Sequence, residues 1–482
     1  MGQLFDRRKE AYTALALSAF VLLVMNPRNL FDIGFQLSFS ATYGLLYIAP
    51  VLEKRMPALL AFSLAPIMAT SPLVAFYFGQ ISPGAIVANL LVLPWMECMV
   101  ILGFSTALLG FVFLPPAQIL GGTLYLLLWL LDSITNAAAA IPGAWFYVAA
   151  PSPVFIFIYY AVLAVLVEVM RKEKKIKITF RRAAFVVLFL LSFFLWDRIA
   201  SATIYGAREL AVTFLDVGQG DSTLIEAPDG KKILIDGGGM EGGGGAGTGE
   251  GEGEGIGMTD RVGKGIVLPF LHRKGINRLD LVILTHPHAD HLGGLNEVLE
   301  EIKVDQVLDN GQTYDSDAYR RFRSLIEANK IKYSAAQAGQ VIDFGGNLKG
   351  FVLNPIYPPL NEANSDSVVM RLVYGNISFL FTGDAGKETE ERMLQLSGCD
   401  LHSKILKVGH HGGEAATSDE FLKAVAPETA VISAGRHNRY RHPHASTFIK
   451  LAENGVKIYR TDENGTVTVR TDGREAVIES RK

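Results

Sequence analysis

Cysteine is almost absent from this chain, with two in 482 residues. Cys98 lies in an apolar run and Cys399 in a polar region, so no framework of disulfides is available, and neither residue sits in a zinc-type cysteine pattern. Histidine is missing from the first half, and all ten histidines lie after residue 270. Charge is scarce over residues 1–200, which hold 14 Lys+Arg against 9 Asp+Glu, a net of +5. The remainder carries 31 against 39, a net of −8, within a chain of −3 overall. So acidic a second half excludes a general nucleic-acid sponge, and bound divalent cations would offset part of its charge. The first apolar run lacks a clear small-residue cleavage site, so no cleavable signal peptide is expected. The shift in composition predicts two domains, 1–204 and 205–482.

What the first half has in abundance is apolar sequence. A helix needs roughly 20 apolar residues to cross a bilayer. Runs at 11–26, 33–50, 58–78, 84–114, 118–141, 152–170 and 183–200 qualify or nearly do, which predicts about seven spans. The fourth contains Pro94 and reads as one kinked helix or a re-entrant segment plus a helix. Basic clusters precede span one (Arg7, Arg8, Lys9), follow span two (Lys54, Arg55) and follow span six (Arg171 to Arg182). Such clusters stay in the cytoplasm, so span seven is expected to carry the second domain to the outer face. Gln36, Asn89, Glu97 and Asp132 fall inside the spans. Such residues either face a bundle interior or water path, or satisfy helix ends and neighbouring backbone. Gly34, Gly44, Gly79, Gly84 and prolines 66, 72, 83 and 94 point to close packing or to broken helices around a cavity, as in a pore.

The second half alternates short strands and helices. Strands are expected at 211–216, 222–227, 231–236, 279–285, near 306–308, at 349–353, 367–374, 377–382, 403–407, 429–433, 456–459, 466–470 and 475–479. Helices are expected at 293–302, 316–328, 386–396, 418–425 and 446–454. Asp229-Gly230 marks a hairpin. This order suits an α/β layered sandwich. Residues 237–257 contain 13 Gly and 4 Glu, a composition that builds no core and reads as a loop insert.

The chemistry concentrates at three places. His286-Pro287-His288-Ala289-Asp290-His291 follows a buried strand and offers four ligands in six residues. Alternate residues His286 and His288 can grip one metal, and Asp290 and His291 can turn towards a second; imidazole and carboxylate suit two divalent ions, Zn²⁺ or Mn²⁺. Asp384 in Thr382-Gly383-Asp384 ends a strand and could bridge both ions. Of the pair in Gly409-His410-His411-Gly412, His410 is favoured as a ligand, leaving His411 to substrate or supporting contacts. A third dense group, Arg436, Arg439, Arg441, His442 and His444, suits phosphate contacts or a solvated loop.

The run His286 to His291 followed by Leu292-Gly293-Gly294, with Asp384 in TGD, resembles the metallo-β-lactamase superfamily and implies its αββα sandwich. FLDVGQGDS (214–222), LIDGGG (234–239), THPHADHLGG (285–294), FTGD (381–384), KVGHHGG (407–413) and NRYRHPH (438–444) resemble the C-terminal domain of ComEC-type DNA-internalisation competence proteins. FDIGFQLSFSATYGLLYIAP (31–50) is similar to their membrane region. The resemblance implies an inner-membrane channel for single-stranded DNA, working with a DNA receptor and a cytoplasmic translocase, with a hydrolase domain thought to degrade the other strand. The family usually carries an N-terminal domain and early spans that this sequence does not include, so an N-terminally incomplete member is expected. Asp221 and Asp236 match the family's first-motif positions and are expected to fix the His tautomers, with turn capping the other reading for Asp221. Typical superfamily members place a further His about 20 residues before the bridging Asp. Here that region is Asn361 to Asp366, and Asn364 or Asp366 could compensate.

The expected reaction is phosphodiester hydrolysis, with Asp290 and His442 as catalytic residues and the ions neutralising charge that develops on the phosphoryl group. Two other readings stay open: an anchored hydrolase of another ester or amide, and a catalytically silent domain that binds DNA.

Overall fold

The computed structural model describes residues 8–172, 192–194, 209–239, 262–396, 398, 400–436 and 438–481. The seventh apolar run falls outside these apart from 192–194. The basic cluster beyond residue 172, the glycine insert from 240 onward and Cys399 also lie outside them. The chain divides into two compact units, Met1–Ile199 with His272–Gly275, and Ala200–Leu271 with Ile276–Lys482.

The first unit is helical. Five helical segments are long and apolar enough to span a membrane: Ile33–Leu52, Ala58–Phe78, Ala85–Val112, Leu114–Ala139 and Pro153–Arg171. The run at 11–26 forms a shorter apolar helix, Ala11–Met25. Six of the seven predicted runs are therefore helices among the described residues, and five of them reach spanning length. Asp32 caps the helix Ile33–Tyr47 by accepting from Phe35 N at 2.8 Å. Pro66, Pro72 and Pro94 lie inside continuous helices, so the alternative of a segment broken at Pro94 does not hold. Close packing is what the small residues serve. A Cβ on Gly44 would lie 2.7 Å from Ala65 O and from the Ala69 Cβ, and Ala61, Ala65 and Ala69 are all buried. Tyr77 donates its hydroxyl to Gln36 Oε1 at 2.8 Å, satisfying one intramembrane polar group between helices.

The second unit is built on two large sheets, beside a two-stranded pair, Arg278–Leu279 with Lys303–Val304. The strands of the first are β1 (Leu210–Phe214), β2 (Thr223–Glu226), β3 (Lys232–Ile235), β4 (Leu281–Ile283), β5 (Gln306–Asp309) and β6 (Lys332–Ala335). Those of the second are β7 (Val341–Gly345), β8 (Leu348–Asn354), β9 (Val369–Tyr374), β10 (Ile377–Phe381), β11 (Ile405–Lys407), β12 (Thr429–Ile432) and β13 (Lys457–Arg460). The final two, β14 (Thr466–Thr471) and β15 (Ala476–Arg481), return to the first sheet. Its order is β6-β5-β4-β3-β2-β1-β14-β15, and the second runs β7 to β13 in sequence. Each sheet is half antiparallel and half parallel. In the first, β3, β4, β5 and β6 are parallel neighbours, and in the second β10 to β13 are.

The inner faces of the two sheets meet through Leu210, Val212, Phe214, Phe379 and Phe381, all buried. Each such side chain contributes about 1.5–3 kcal/mol on burial. Helices cover both outer faces, so the layers run helix, sheet, sheet, helix. The helix Asp317–Ala328 shows why: Ser316 caps it by accepting from Tyr319 N at 3.2 Å, and Tyr319, Phe322 and Ile326 form its one buried stripe. Two strands escaped the sequence pattern. β6 and β7 are edge strands in which Phe344 alone is buried, so they carry no alternating apolar signal.

Candidate metal centre

The functional side chains sit where parallel strands end. β4 leads into Thr285 and His286, β10 into Asp384, and β11 into His410 and His411. Adjacent parallel strands that end together place their following loops side by side, and the two sheets each supply a share.

Backbone packing draws the loops in. Gly237 N donates to His291 O at 2.7 Å, Gly238 N to Asp221 O at 2.7 Å and Gly294 N to Gly238 O at 2.9 Å. The glycines after Asp236 and after Leu292 thus interlock main chain to main chain. A Cβ on Gly239 would fall 1.8 Å from Ala289 O, so no other residue fits there. Three non-glycine residues at the centre adopt left-handed backbone: Asp236 (φ 58°), His410 (φ 49°) and His411 (φ 54°). Such conformations cost of order 1–3 kcal/mol each. Here they turn His410 and His411 back over the ends of the strands.

Four buried side chains converge: Asp290, His291, Asp384 and His411 each offer one ligand atom within 4.8 Å of the others. His291 Nε2 is 3.3 Å from Asp384 Oδ1, and His411 Nε2 is 3.1 Å from Asp290 Oδ2 and 3.6 Å from Asp384 Oδ2. Beside them, His286 Nε2 lies 3.1 Å from His288 Nδ1 and 3.9 Å from Asp384 Oδ2. Ligand atoms on a tetrahedral zinc ion at about 2.05 Å are about 3.3 Å apart, so these separations match one coordination shell. Asp290 Oδ1, His291 Nε2 and Asp384 Oδ1 are buried without hydrogen-bond partners among the described residues. Orphaned donor and acceptor atoms of this kind are costly unless a cation satisfies them. The donor set and its geometry therefore fit divalent metal.

A layer of contacts orients the imidazoles. Asp236 accepts from Thr285 N and Thr285 Oγ1, each at 2.7 Å, and from His291 Nδ1 at 2.8 Å. A carboxylate accepts only, so His291 carries its hydrogen on Nδ1 and aims Nε2 at Asp384. His411 Nδ1 donates to Ser433 O at 3.1 Å and lies 3.4 Å from Asp221 Oδ1. Asp221 is in turn paired with the buried ammonium of Lys407 at 2.7 Å. Asp221, Asp236 and His291 also lie close enough together to hold an ion. Lys407 occupies one of these carboxylates, and three donors occupy the other.

The charges are mutually compensating. Burial raises the Asp384 carboxyl, but His411, His291 and His286 outweigh it and hold it well below the usual carboxylate range. Burial also works against the Asp290 anion, yet His291 and His411 bring its pKa down to about 2. Burial lowers His411, yet Asp384 and Asp221 reverse the sign and lift it to about 10. His291 is raised well above its ordinary value against the same burial penalty, by Asp384, Asp236 and Asp290. His286 is held well below its ordinary value by burial and by neighbouring His291.

The sequence favoured His410 over His411. The structure places His411 in the tight group, while His410 Nε2 stands 3.9 Å from Asp384 Oδ2 with a third of its side chain exposed. Asp366 accepts from Leu360 N and Asn361 N of its own loop and from Gln312 Nε2 of the loop after β5, so both its oxygens are used. Asn364 keeps a buried Oδ1 without a partner among the described residues. His442 rings approach His410 at 5.5 Å and His411 at 6.4 Å. Burial first, then His411 and His410, push the His442 imidazole down to about 4. Arg436, Arg439 and Arg441 are exposed, and Arg436 Nε donates to Asp462 O at 2.7 Å. His444 Nδ1 pairs with Ser446 Oγ at 2.9 Å, away from the cluster. Sequence reasoning did not assign roles to Lys407, Thr285 and Ser433. A lysine at the end of the apolar strand ILK was the one available signal.

An αββα sandwich with a His/Asp centre at the strand ends is the metallo-β-lactamase fold, and residues 215–436 match the metallo-beta-lactamase superfamily. The second unit thus carries a metallo-β-lactamase-type domain. Residues 1–173 match the family described as competence protein. The chain therefore joins a competence-protein membrane domain to a metallo-β-lactamase domain, as the motifs led one to expect. It is 29% identical to ComE operon protein 3 of Bacillus subtilis over 98% of this chain and 60% of that protein. It is 27% identical to competence protein ComA of Neisseria gonorrhoeae, over 92% of this chain and 57% of that protein. Recombination protein 2 of Haemophilus influenzae is 31% identical over 54% of this chain and 28% of its own length. The chain thus spans less than two thirds of the length of each of these relatives.

Two outcomes follow for metal binding. Asp236→Asn removes the charge behind His291 and is expected to weaken metal affinity roughly 10- to 100-fold, measured by competition with a chromogenic chelator; unchanged affinity would refute that support. In the metal-free protein near neutral pH, His291 and His411 hold a second proton that a metal must displace. Metal uptake is therefore expected to release about two protons, seen as buffer-dependent heats in calorimetry. The release falls as pH rises past about 10, the pKa of His411. Heats independent of buffer would contradict this.

Proposed function

We propose that this chain is a component of a membrane DNA-uptake channel with an attached metal-dependent nuclease, which hydrolyses phosphodiester bonds in the strand that is not transported. The observation that carries the reading is the buried group Asp290, His291, Asp384 and His411, with unpartnered ligand atoms, in a chain that also has a competence-protein membrane domain.

In this reading His286 and His288 would help hold one divalent ion and Asp290, His291 and His411 the other, with the Asp384 carboxylate within 3.9 Å of His286, His291 and His411. His and Asp ligands suit Zn²⁺ or Mn²⁺. Bound there, such ions supply charge neutralisation at the phosphoryl oxygens and a water acidic enough to react near neutral pH. The chain's own residues do the rest. Asp236 and Thr285 fix the tautomer of His291. Ser433, Asp221 and Lys407 do the same for His411. Asp290 holds its carboxylate in the ionised form beside the reacting phosphate. His442, neutral at pH 7 on a ring beside His410 and His411, donates a hydrogen bond to the leaving oxygen, while solvent water supplies its proton. Arg436, Arg439, Arg441 and His444 contact the phosphates on either side.

The basic clusters at Lys54 and Arg55 and beyond Arg171 favour a cytoplasmic position for those loops. The apolar run at 183–200 then leads the hydrolase domain to the outer face, where the excluded strand stays. A DNA receptor outside and a translocase in the cytoplasm complete the proposed pathway.

The test is incubation of the full chain with linear DNA and Mn²⁺ or Zn²⁺. Metal-dependent shortening of the DNA is expected. Asp384→Ala should lower its rate about 100-fold or more, since several kcal/mol of charge stabilisation is lost. Hydrolysis of a small ester without DNA cleavage would point to a different substrate, and retention of DNA without cleavage to a silent binding domain.

A further inference from the structure

We infer that the rim of the metal centre is a grip for unpaired nucleic acid, with Tyr314 and the Arg439–Tyr440 pair as the two surfaces on which bases stack. This rests on the nuclease reading and adds the form of nucleic acid that the site takes.

Tyr314 lies in the loop after β5 and Tyr440 in the loop after β12, so each sheet contributes one ring. Both are exposed, at 40% and 38%. A single exposed tyrosine is ordinary. These two differ in what they touch. Tyr314 meets the His288 ring edge to face at 5.8 Å. Tyr440 lies within 30° of parallel to His442 at a centroid distance of 5.7 Å, and the Arg439 guanidinium sits 4.7 Å over its ring. From His288 the imidazoles continue in contact through His286, His291 and His411 to His442. The tyrosines therefore occupy the two ends of one line of rings whose middle is the metal cluster.

An exposed aromatic ring with a guanidinium beside it is a surface to which a base adds its own flat face, whatever its identity. Bases in a duplex are already stacked on one another and offer no such face. A strand with its bases unpaired offers one on either side of a phosphate held at the centre, and Arg439 is placed to serve the base or the adjacent phosphate. Duplex ends and gaps would be engaged only after local opening.

The experiment uses the full chain in detergent, Mn²⁺ and a fluorescent oligothymidylate with a phosphorothioate backbone that resists cleavage, read by anisotropy beside a duplex of equal length. The wild type is expected to prefer the single strand. Tyr314→Ala and Tyr440→Ala should each weaken single-strand binding roughly 5- to 150-fold, while Tyr→Trp at either position retains it. Duplex binding and metal content should not change. Equal affinity of the wild type for both forms, or alanine variants that bind the single strand as the wild type does, would overturn the proposal. A protein that grips the single strand through these rings but never cleaves DNA would defeat the nuclease reading alone; one that cleaves DNA with either tyrosine replaced, at wild-type affinity, would defeat the grip alone.

Discussion

Asp384 is surrounded by imidazoles, and its charge is what lets them stand together. His291, His411, His286 and His410 all have a ring nitrogen within 3.9 Å of its carboxylate. The group is almost wholly buried, and an unpaired charge or an unsatisfied polar atom there is expensive. Without this carboxylate, four imidazoles would face one another with only Asp290 between them. With it, the anions lower one another's cost through the histidines, and His291 and His411 gain protons they would otherwise lose on burial. A divalent ion bound there would take the place of those protons. Balance of charge thus links the unliganded state of the centre to its affinity for metal.

The rest of the second unit follows from holding that carboxylate in place. Asp384 leaves the end of β10, whose neighbours β9 and β11 fix it from both sides by register, Met370 to Phe381 and Phe381 to Lys407. The first sheet delivers His286 to His291 from the end of β4, and the core between the sheets, through Phe214 and Phe381, locks the two halves at one spacing. Interlocked glycines then bring Ala289 against Gly239 with no room for a side chain. The strain of the left-handed His410 and His411 is carried by this frame.

Much of this was legible in the residues. The run His286 to His291, Asp384 and the His410-His411 pair each stand at a strand end, and strands of four to seven apolar residues announce themselves. The apolar runs of the first half likewise become helices. What the sequence could not reveal is which side of a turn faces inward. His410 and His411 are neighbours with the same chemistry, and only the left-handed backbone decides that His411 is buried. Lys407 is a charge inside an apolar strand, and only the fold sets Asp221 across from it. The edge strands β6 and β7 have little apolar periodicity because little of them is buried. The ring line from Tyr314 to Tyr440 joins loops more than 100 residues apart, a relation no local pattern carries.

The most direct test of the account is anomalous diffraction from crystals of the full chain grown with Mn²⁺. Two peaks about 3.5–4 Å apart are expected, one among Asp290, His291, Asp384 and His411, the other beside His286 and His288, with Asp384 touching both. Peaks only between Asp221 and Asp236, or no ordered metal near Asp384, would contradict it.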